Sequence, residues 1–102
     1  MNRYSELPFS PGLIYVTAGV DNLRGESEDF AHFVNLSLAR HLVCDWGDLD
    51  PDDAALNDAS LSPDNPGRIL SSYSHADYPD WKIWIITEWD RSATTILFPS
   101  EY

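Results

Sequence analysis

Basic residues are scarce in this chain, and one long stretch has none. No lysine or arginine lies between Arg40 and Arg68, and the whole sequence has six basic residues against seventeen acidic ones, a formal charge of −11. Such a field repels nucleic acid, and it attracts and steers proteins whose working surface is basic. The charge therefore points to a protein partner and argues against direct binding of nucleic acid.

Cysteine and long apolar runs are also scarce. Cys44 is the single cysteine, which excludes a disulfide framework within the chain and indicates a reducing compartment. No apolar run approaches the length of a membrane span, and the first residues lack the basic-then-apolar pattern of a signal peptide. We therefore expect a protein of the bacterial cytoplasm without membrane contact.

Aromatic and other hydrophobic residues are plentiful by contrast. Hydrophobic residues make up 43% of the chain and aromatic residues 13%, which distinguishes it from a disordered acidic tail. A chain of 102 residues can bury one modest core but not two. We expect residues 1–102 to form a single acidic domain, in which the proline-rich segment 1–11 is irregular.

The first half of the sequence predicts one strand and two helices. Residues 13–17 form a β-rich run that ends at Gly19, and apolar residues recur at helical spacing over residues 28–43 after the N-cap Ser27. A second helix begins at Asp50-Pro51, a favoured cap followed by a favoured first residue. Its predicted apolar residues are Ala54, Ala55, Leu56, Ala59 and Leu61.

The last third of the sequence changes to a β period. Residues 68–73, 81–88 and 92–98 are β-rich and are separated by short turns, which predicts an antiparallel meander. The middle run carries apolar side chains on both faces, so it is expected to be central or covered on both sides. The predicted class is α+β, with two helices packed on a small antiparallel sheet in the order β-α-α-β-β-β.

Several short motifs together resemble a known group of proteins. They are Arg40-His41, Asp45-Trp46-Gly47-Asp48-Leu49, Trp84-Ile85-Ile86-Thr87-Glu88, Asp90-Arg91-Ser92-Ala93-Thr94-Thr95 and Pro99-Ser100-Glu101-Tyr102. Over residues 13–102 the chain resembles uncharacterised proteins of similar length from bacterial plasmids and other mobile elements. In that group a glycine usually stands where this chain has Cys44. Some members are tied by label to type I restriction systems, and the resemblance implies a setting in which type I anti-CRISPR or anti-restriction proteins act.

The spacing of Asp48, Asp50 and Asp52 matches the first ligands of a calcium loop, but the rest of the loop pattern is absent. Asp53 stands where a glycine is needed and Ala59 where a glutamate is needed. We therefore predict no metal site. The chain also has no glycine-rich cofactor loop, and we predict no cofactor and no catalytic residues.

His41 and Cys44 lie three residues apart near a helix end, which permits two interpretations. They could act as base and thiol nucleophile or as two metal ligands, but no second cysteine or nearby histidine completes either site. The favoured interpretation is a packed cysteine beside a histidine that the helix dipole stabilises.

Trp46 and Arg91 also have two interpretations each. Trp46 resembles an interface anchor, but we favour a ring that closes the end of the core, with Asp45 and Asp48 capping turn amides. Arg91 belongs to a hairpin turn in which Asp90 accepts from turn amides, or it pairs with Asp45 or Asp48.

The expected partner-binding residues are the seven aspartates of the stretch without basic residues, here called the acidic segment: Asp45, Asp48, Asp50, Asp52, Asp53, Asp58 and Asp64. We expect a monomer that is not an enzyme and that inhibits by DNA mimicry. Its expected partner is a basic nucleic-acid-binding host protein, either a CRISPR effector subunit or a restriction enzyme. The alternative is a plasmid-encoded accessory module that binds a protein of its own element.

Overall fold

The computed structural model describes residues 7–102, in which three helices pack against a four-stranded sheet. The strands are β1 (Leu13–Val16), β2 (Ile69–Ser74), β3 (Lys82–Thr87) and β4 (Ala93–Leu97), and the helices are α1 (Ala18–Glu26), α2 (Glu28–Leu42) and α3 (Pro51–Ser60). A 3-10 turn, Pro99–Glu101, follows β4. Residues 7–11 of the expected irregular segment contain no helix or strand, and residues 1–6 of it lie outside the described range. The α+β class is confirmed.

The sheet has the strand order β1-β4-β3-β2. β2, β3 and β4 form the predicted antiparallel meander with β3 inside the sheet. β1 joins β4 in parallel, in a register that runs from Leu13 opposite Ala93 to Val16 opposite Ile96. The sheet is therefore mixed, because β1 pairs with β4 in parallel whereas the other two pairings are antiparallel.

The main core lies between the sheet and the helices α1 and α2. Ile83 and Ile85 of β3 are fully buried there, and the ring of Phe30 lies 5.2 Å from that of Trp81 in a T-shaped contact. On the opposite face of β3, Trp84 is only half-buried and its ring lies 5.7 Å from that of Tyr102. β3 is thus central as predicted, with one face more fully covered than the other.

Helix α1 is absent from the sequence-based prediction, which ended the first β-run at Gly19. Two glycines in nine residues give this helix a low intrinsic propensity. It is held instead by a remote residue, because the Glu101 carboxylate accepts hydrogen bonds from the Thr17 hydroxyl at 2.6 Å and the Gly19 N–H at 3.0 Å. Val20 then enters the core. Tertiary contacts outweigh local propensity here.

The inner face of α3 also differs from the prediction. Leu56, expected on the apolar face, is 66% exposed, whereas Asn57 is buried. The Asn57 amide donates to the Leu70 carbonyl at 2.7 Å and accepts from the Leu70 N–H at 3.2 Å. Leu70 belongs to the edge strand β2, so the asparagine satisfies backbone groups that would otherwise have no strand partner.

Asn57→Ala is expected to lower the free energy of unfolding by about 1–3 kcal/mol, because it leaves both Leu70 backbone groups without this partner. Asn35→Ala, at an exposed position of α2, is the matched control and should change stability by less than about 0.5 kcal/mol. Urea denaturation of both variants measures the difference. Equal stabilities would show that the Asn57 amide does not support the edge of β2.

Candidate functional site

The acidic segment begins where α2 ends in a tight backbone turn. Cys44 has a φ of 66°, its N–H bonds to the His41 carbonyl at 3.1 Å, and the Asp45 N–H bonds to the Arg40 carbonyl at 2.9 Å. This pair of bonds is the Schellman motif, whose left-handed position is usually a glycine. The turn therefore forms with Cys44 at a position that usually takes glycine, at the cost of some backbone strain.

Asp45 is held by an arginine that precedes it. Its carboxylate accepts from Arg40 Nε at 2.7 Å and from Arg40 Nη2 at 3.1 Å, and Oδ1 also accepts from the Gly47 N–H at 3.2 Å. The bond from Arg40 lowers the pKa of the Asp45 carboxyl below its ordinary value. Asp45 is thus the predicted turn cap, and its charge is largely compensated.

Trp46 closes the end of a second, smaller core, as the favoured interpretation predicts. The ring is 6% exposed and packs with Phe9 and Ile69, and its indole N–H donates to Asp58 at 3.0 Å. Because its ring is buried against its own chain, it does not offer the surface of an interface anchor. Asp58, predicted only as a partner-binding residue, therefore also has a structural role.

One side-chain cap starts α3, and one backbone bond ties the turn before α3 to the sheet. Asp50 is the N-cap of α3 as predicted, and it accepts from the Asp53 N–H at 2.9 Å. Asp48 uses its backbone rather than its carboxylate, because its N–H donates to the Ser72 carbonyl of β2 at 2.8 Å. The predicted side-chain cap by Asp48 is therefore replaced by a short bridge between Gly47 and Ser72.

Arg91 anchors the far end of α3. Its guanidinium donates to the carbonyls of Ser60 at 2.8 Å and Gly67 at 2.7 Å. The predicted alternative of a pair with Asp45 or Asp48 is wrong, because these carbonyls hold the guanidinium and Arg40 pairs with Asp45. The predicted cap in this turn is present, since Asp90 accepts from the Ser92 N–H at 3.0 Å.

The structure exposes all seven aspartates of the acidic segment. In residues 7–102 the ion pairs join Arg24 to Asp21, Arg40 to Asp45 and Arg68 to Glu88, so one member of the segment is paired. Asp45, Asp50 and Asp58 make the hydrogen bonds described above. Within the same residues, the carboxylates of Asp48, Asp52, Asp53 and Asp64 remain open to solvent without an arginine or lysine at ion-pair distance.

An exposed leucine stands among these carboxylates, which the sequence interpretation missed. Consecutive helix positions diverge by about 100°, so Asp52 and Asp53 point in different directions from α3. Leu56 lies beside them and borders a groove of about 250 Å³ whose lining also includes Asp53, Arg68 and Leu70. An apolar residue so exposed on a helix is a contact point that a partner could cover.

His41 does not face Cys44 in the manner of a nucleophilic pair. Both ring nitrogens of His41 are occupied, Nδ1 by the Ser71 hydroxyl at 2.5 Å and Nε2 by the Thr87 hydroxyl at 2.9 Å. Burial raises the pKa of the Cys44 thiol, and nearby Asp58 adds to this shift, so the reactive thiolate is disfavoured. The favoured interpretation of packed side chains holds.

The dipole part of that interpretation is wrong. His41 is fully buried, and desolvation lowers its pKa to about 4, so the ring is neutral at pH 7 and gains nothing as a cation at the helix end.

No group of three or more His, Cys, Asp or Glu side chains within residues 7–102 is arranged to hold a metal ion. No helix in the same range combines the length and apolarity needed to cross a bilayer. Comparisons with protein-family models, with curated proteins and with solved structures find no match.

Proposed function

We propose that the protein is an acidic inhibitor of a host defence complex, a CRISPR effector or a restriction enzyme, and that it binds the basic nucleic-acid-binding surface of that complex. The observation that carries the proposal is the rigid display of unpaired carboxylates on the acidic segment. Four of the seven exposed aspartates have carboxylates without a hydrogen bond or ion pair in residues 7–102, and backbone and side-chain bonds hold the segment at both ends.

Rigidity matters because a mimic must present charge without ordering itself on binding. Arg40 fixes the start of the acidic segment, Asn57 fixes the middle of α3 to β2, and Arg91 fixes the C-terminal end of α3. A preorganised surface loses less conformational entropy on association. The carboxylates can then occupy positions that phosphates take in a basic groove, with long-range attraction raising the association rate.

The exposed Leu56 favours a protein partner that makes apolar contacts as well as contacts between charges. It is 66% exposed between charged neighbours, and interface centres commonly combine an apolar contact with a polar rim. Such an arrangement has the chemistry of a docking surface for a protein with a basic groove and an apolar floor. The proposed site of action is the bacterial cytoplasm, where effector complexes meet DNA.

The second candidate is an accessory module without enzymatic activity that binds a protein of its own mobile element. The same exposed Leu56 and its groove favour it, since they would serve a partner that does not bind nucleic acid. The two candidates differ in salt dependence, because only recognition dominated by charge weakens steeply as ionic strength rises.

Reversing Asp48, Asp52 and Asp53 together to Lys is expected to slow association with the target complex by about 10- to 100-fold at low salt. The measurement is DNA binding by candidate CRISPR and restriction complexes with and without the protein, at low and high salt. The wild type should compete with DNA and lose potency as salt rises.

The matched control reverses Glu26, Asp77 and Asp80, three exposed residues outside the acidic segment, and alters the net charge equally. A triple Asn variant at positions 48, 52 and 53 avoids placing lysines at the start of α3, where the helix dipole disfavours them. If no candidate complex is blocked, the inhibitor proposal fails and the accessory module replaces it. If both lysine triples inhibit alike, the acidic segment is not the inhibitory surface.

A further inference from the structure

Strand β1 forms an exposed and uncharged edge of the sheet. Leu13 is 66% exposed, Ile14 38% and Tyr15 51%, although all three are large and apolar. Residues 7–20 contain no charged side chain at all, in a chain whose formal charge is −11. Edge strands in monomeric proteins are usually protected by charge, proline or a bulge, and β1 itself carries no proline and no charge.

The backbone of β1 has hydrogen-bonding groups that point away from the sheet. The Leu13 N–H bonds to the Ser92 carbonyl at 3.1 Å and the Thr17 N–H to the Ile96 carbonyl at 3.0 Å, so odd-numbered residues face β4. Alternation along a strand then directs the N–H and C=O of Ile14 and Val16 outward.

The opposite edge of the sheet is closed. On β2, Leu70 is bonded to the Asn57 amide, and Ser72 bridges Gly47, so neither position can accept another strand. The two edges of the described sheet are therefore unequal, and the apolar one is open.

We propose that β1 pairs with β1 of a second copy of this chain about a two-fold axis, which joins the two sheets. The outward groups dictate the register. Ile14 of one copy lies opposite Val16 of the other and exchanges two hydrogen bonds with it, and the two-fold axis repeats this pair. Tyr15 then lies opposite its own symmetry mate on the open face of the sheet. The pairing is self-complementary and uses each outward group of the two residues.

The distribution of charge fits a second copy. The acidic segment lies at the β2 edge, so pairing through β1 places the two segments at the outer ends of the joined sheet, where their repulsion is smallest. A four-residue edge is smaller than a standard interface, so we expect a reversible dimer with a dissociation constant of about 1 μM or weaker. This inference does not rest on the proposed function, and it revises the monomer expected from the sequence.

Cross-linking at the axis tests the register. In a Cys44→Ser background, Tyr15→Cys places two cysteines opposite each other at a Cα separation of about 4.5 Å, which suits a disulfide. Leu13→Cys is the matched control on the same strand and face, and its symmetry mates would be about 13 Å apart. With oxidised glutathione, Tyr15→Cys should form covalent dimers at least about tenfold faster than Leu13→Cys.

Sedimentation of the unmodified protein from about 1 μM to about 1 mM gives the second readout. The wild type should shift from monomer to dimer, Tyr15→Glu should abolish the shift, and Leu36→Glu, at an equally exposed apolar position of α2, should retain it. A wild type that stays monomeric, equal cross-linking of the two cysteine variants, or equal effects of the two glutamates would overturn the proposal.

Discussion

Gly47→Ala is expected to destabilise the protein by roughly 3–5 kcal/mol, because backbone strain and a steric clash add at one position. Gly47 has a φ of 74°, a conformation that side chains with a Cβ rarely adopt. A Cβ at this position would overlap the Ser72 carbonyl oxygen, which is backbone of β2 and cannot rotate away. The bridge between Gly47 and Ser72 would have to open.

Gly25→Ala is the matched control for this substitution. Gly25 lies in α1, where an added Cβ would meet nothing within 4 Å beyond the adjacent helix backbone. The variant should gain about 0.5–1 kcal/mol from the better helix propensity of alanine. Urea denaturation of both variants measures the difference in the free energy of unfolding. A small loss at Gly47, comparable to ordinary surface changes, would show that the bridge to β2 is dispensable.

Protonation of His41 is expected to make folding stability fall by about 3 kcal/mol as the pH drops from 7 to 4. The pKa of the ring is about 4 in the folded protein, against 6.5 for an ordinary histidine. Because the unfolded chain binds the proton first, this contribution is complete above pH 6.5, decreases between pH 6.5 and 4, and is lost below pH 4.

The hydrogen-bond chain around His41 fixes the tautomer of the ring, and burial explains why the ring stays neutral. The Thr94 hydroxyl donates its hydrogen to the Pro11 carbonyl at 2.7 Å, so it accepts from the Thr87 hydroxyl at 2.7 Å. Thr87 therefore accepts from His41 Nε2–H at 2.9 Å. Nδ1 is then the acceptor, and the Ser71 hydroxyl donates to it. A charged ring would need Ser71 to reverse its bond, and its charge would be desolvated at full burial.

Measuring the free energy of unfolding between pH 7 and 4 in wild type and His41→Gln tests this directly. The two proteins share every carboxylate, so the difference between their pH slopes isolates the buried ring. Asn35→Gln, at an exposed position of the same helix, changes no titratable group and should keep the wild-type slope. In the wild type, the NMR shift of the His41 ring should stay that of the neutral form down to about pH 5. A ring that titrates near its ordinary value, or parallel slopes, would contradict the assignment.

The sequence predicted those elements that local signals specify. Ser27 and Asp50 cap their helices as expected, with hydrogen bonds to Phe30 N–H and Asp53 N–H, and the three β-rich runs form the meander. Helix α1 was missed because its start depends on Glu101, more than eighty residues away in the sequence. The parallel pairing of β1 with β4 was missed for the same reason, since no local pattern encodes it.

The candidate site was predictable in charge but not in geometry. Composition identified all seven aspartates, yet it did not reveal that Asp45 pairs with Arg40 or that Asp58 accepts from Trp46. Helical spacing also assigned Leu56 to the inner face of α3, because spacing alone does not predict that a strand edge will require the amide of Asn57. Which carboxylates remain open depends on tertiary contacts that composition cannot show.

The pairing of β1 with β4 has a consequence for synthesis of the chain. A ribosome makes β1 well before its partner strand, because Ser92, whose carbonyl accepts from the Leu13 N–H, lies far downstream of Leu13. Until then β1 has no strand to join, and the cap that Glu101 gives to α1 is also missing. Contacts so distant in sequence are slow to form. Pairing of β1 therefore waits until β4 has been made, and the apolar β1 is exposed to other nascent chains in that interval.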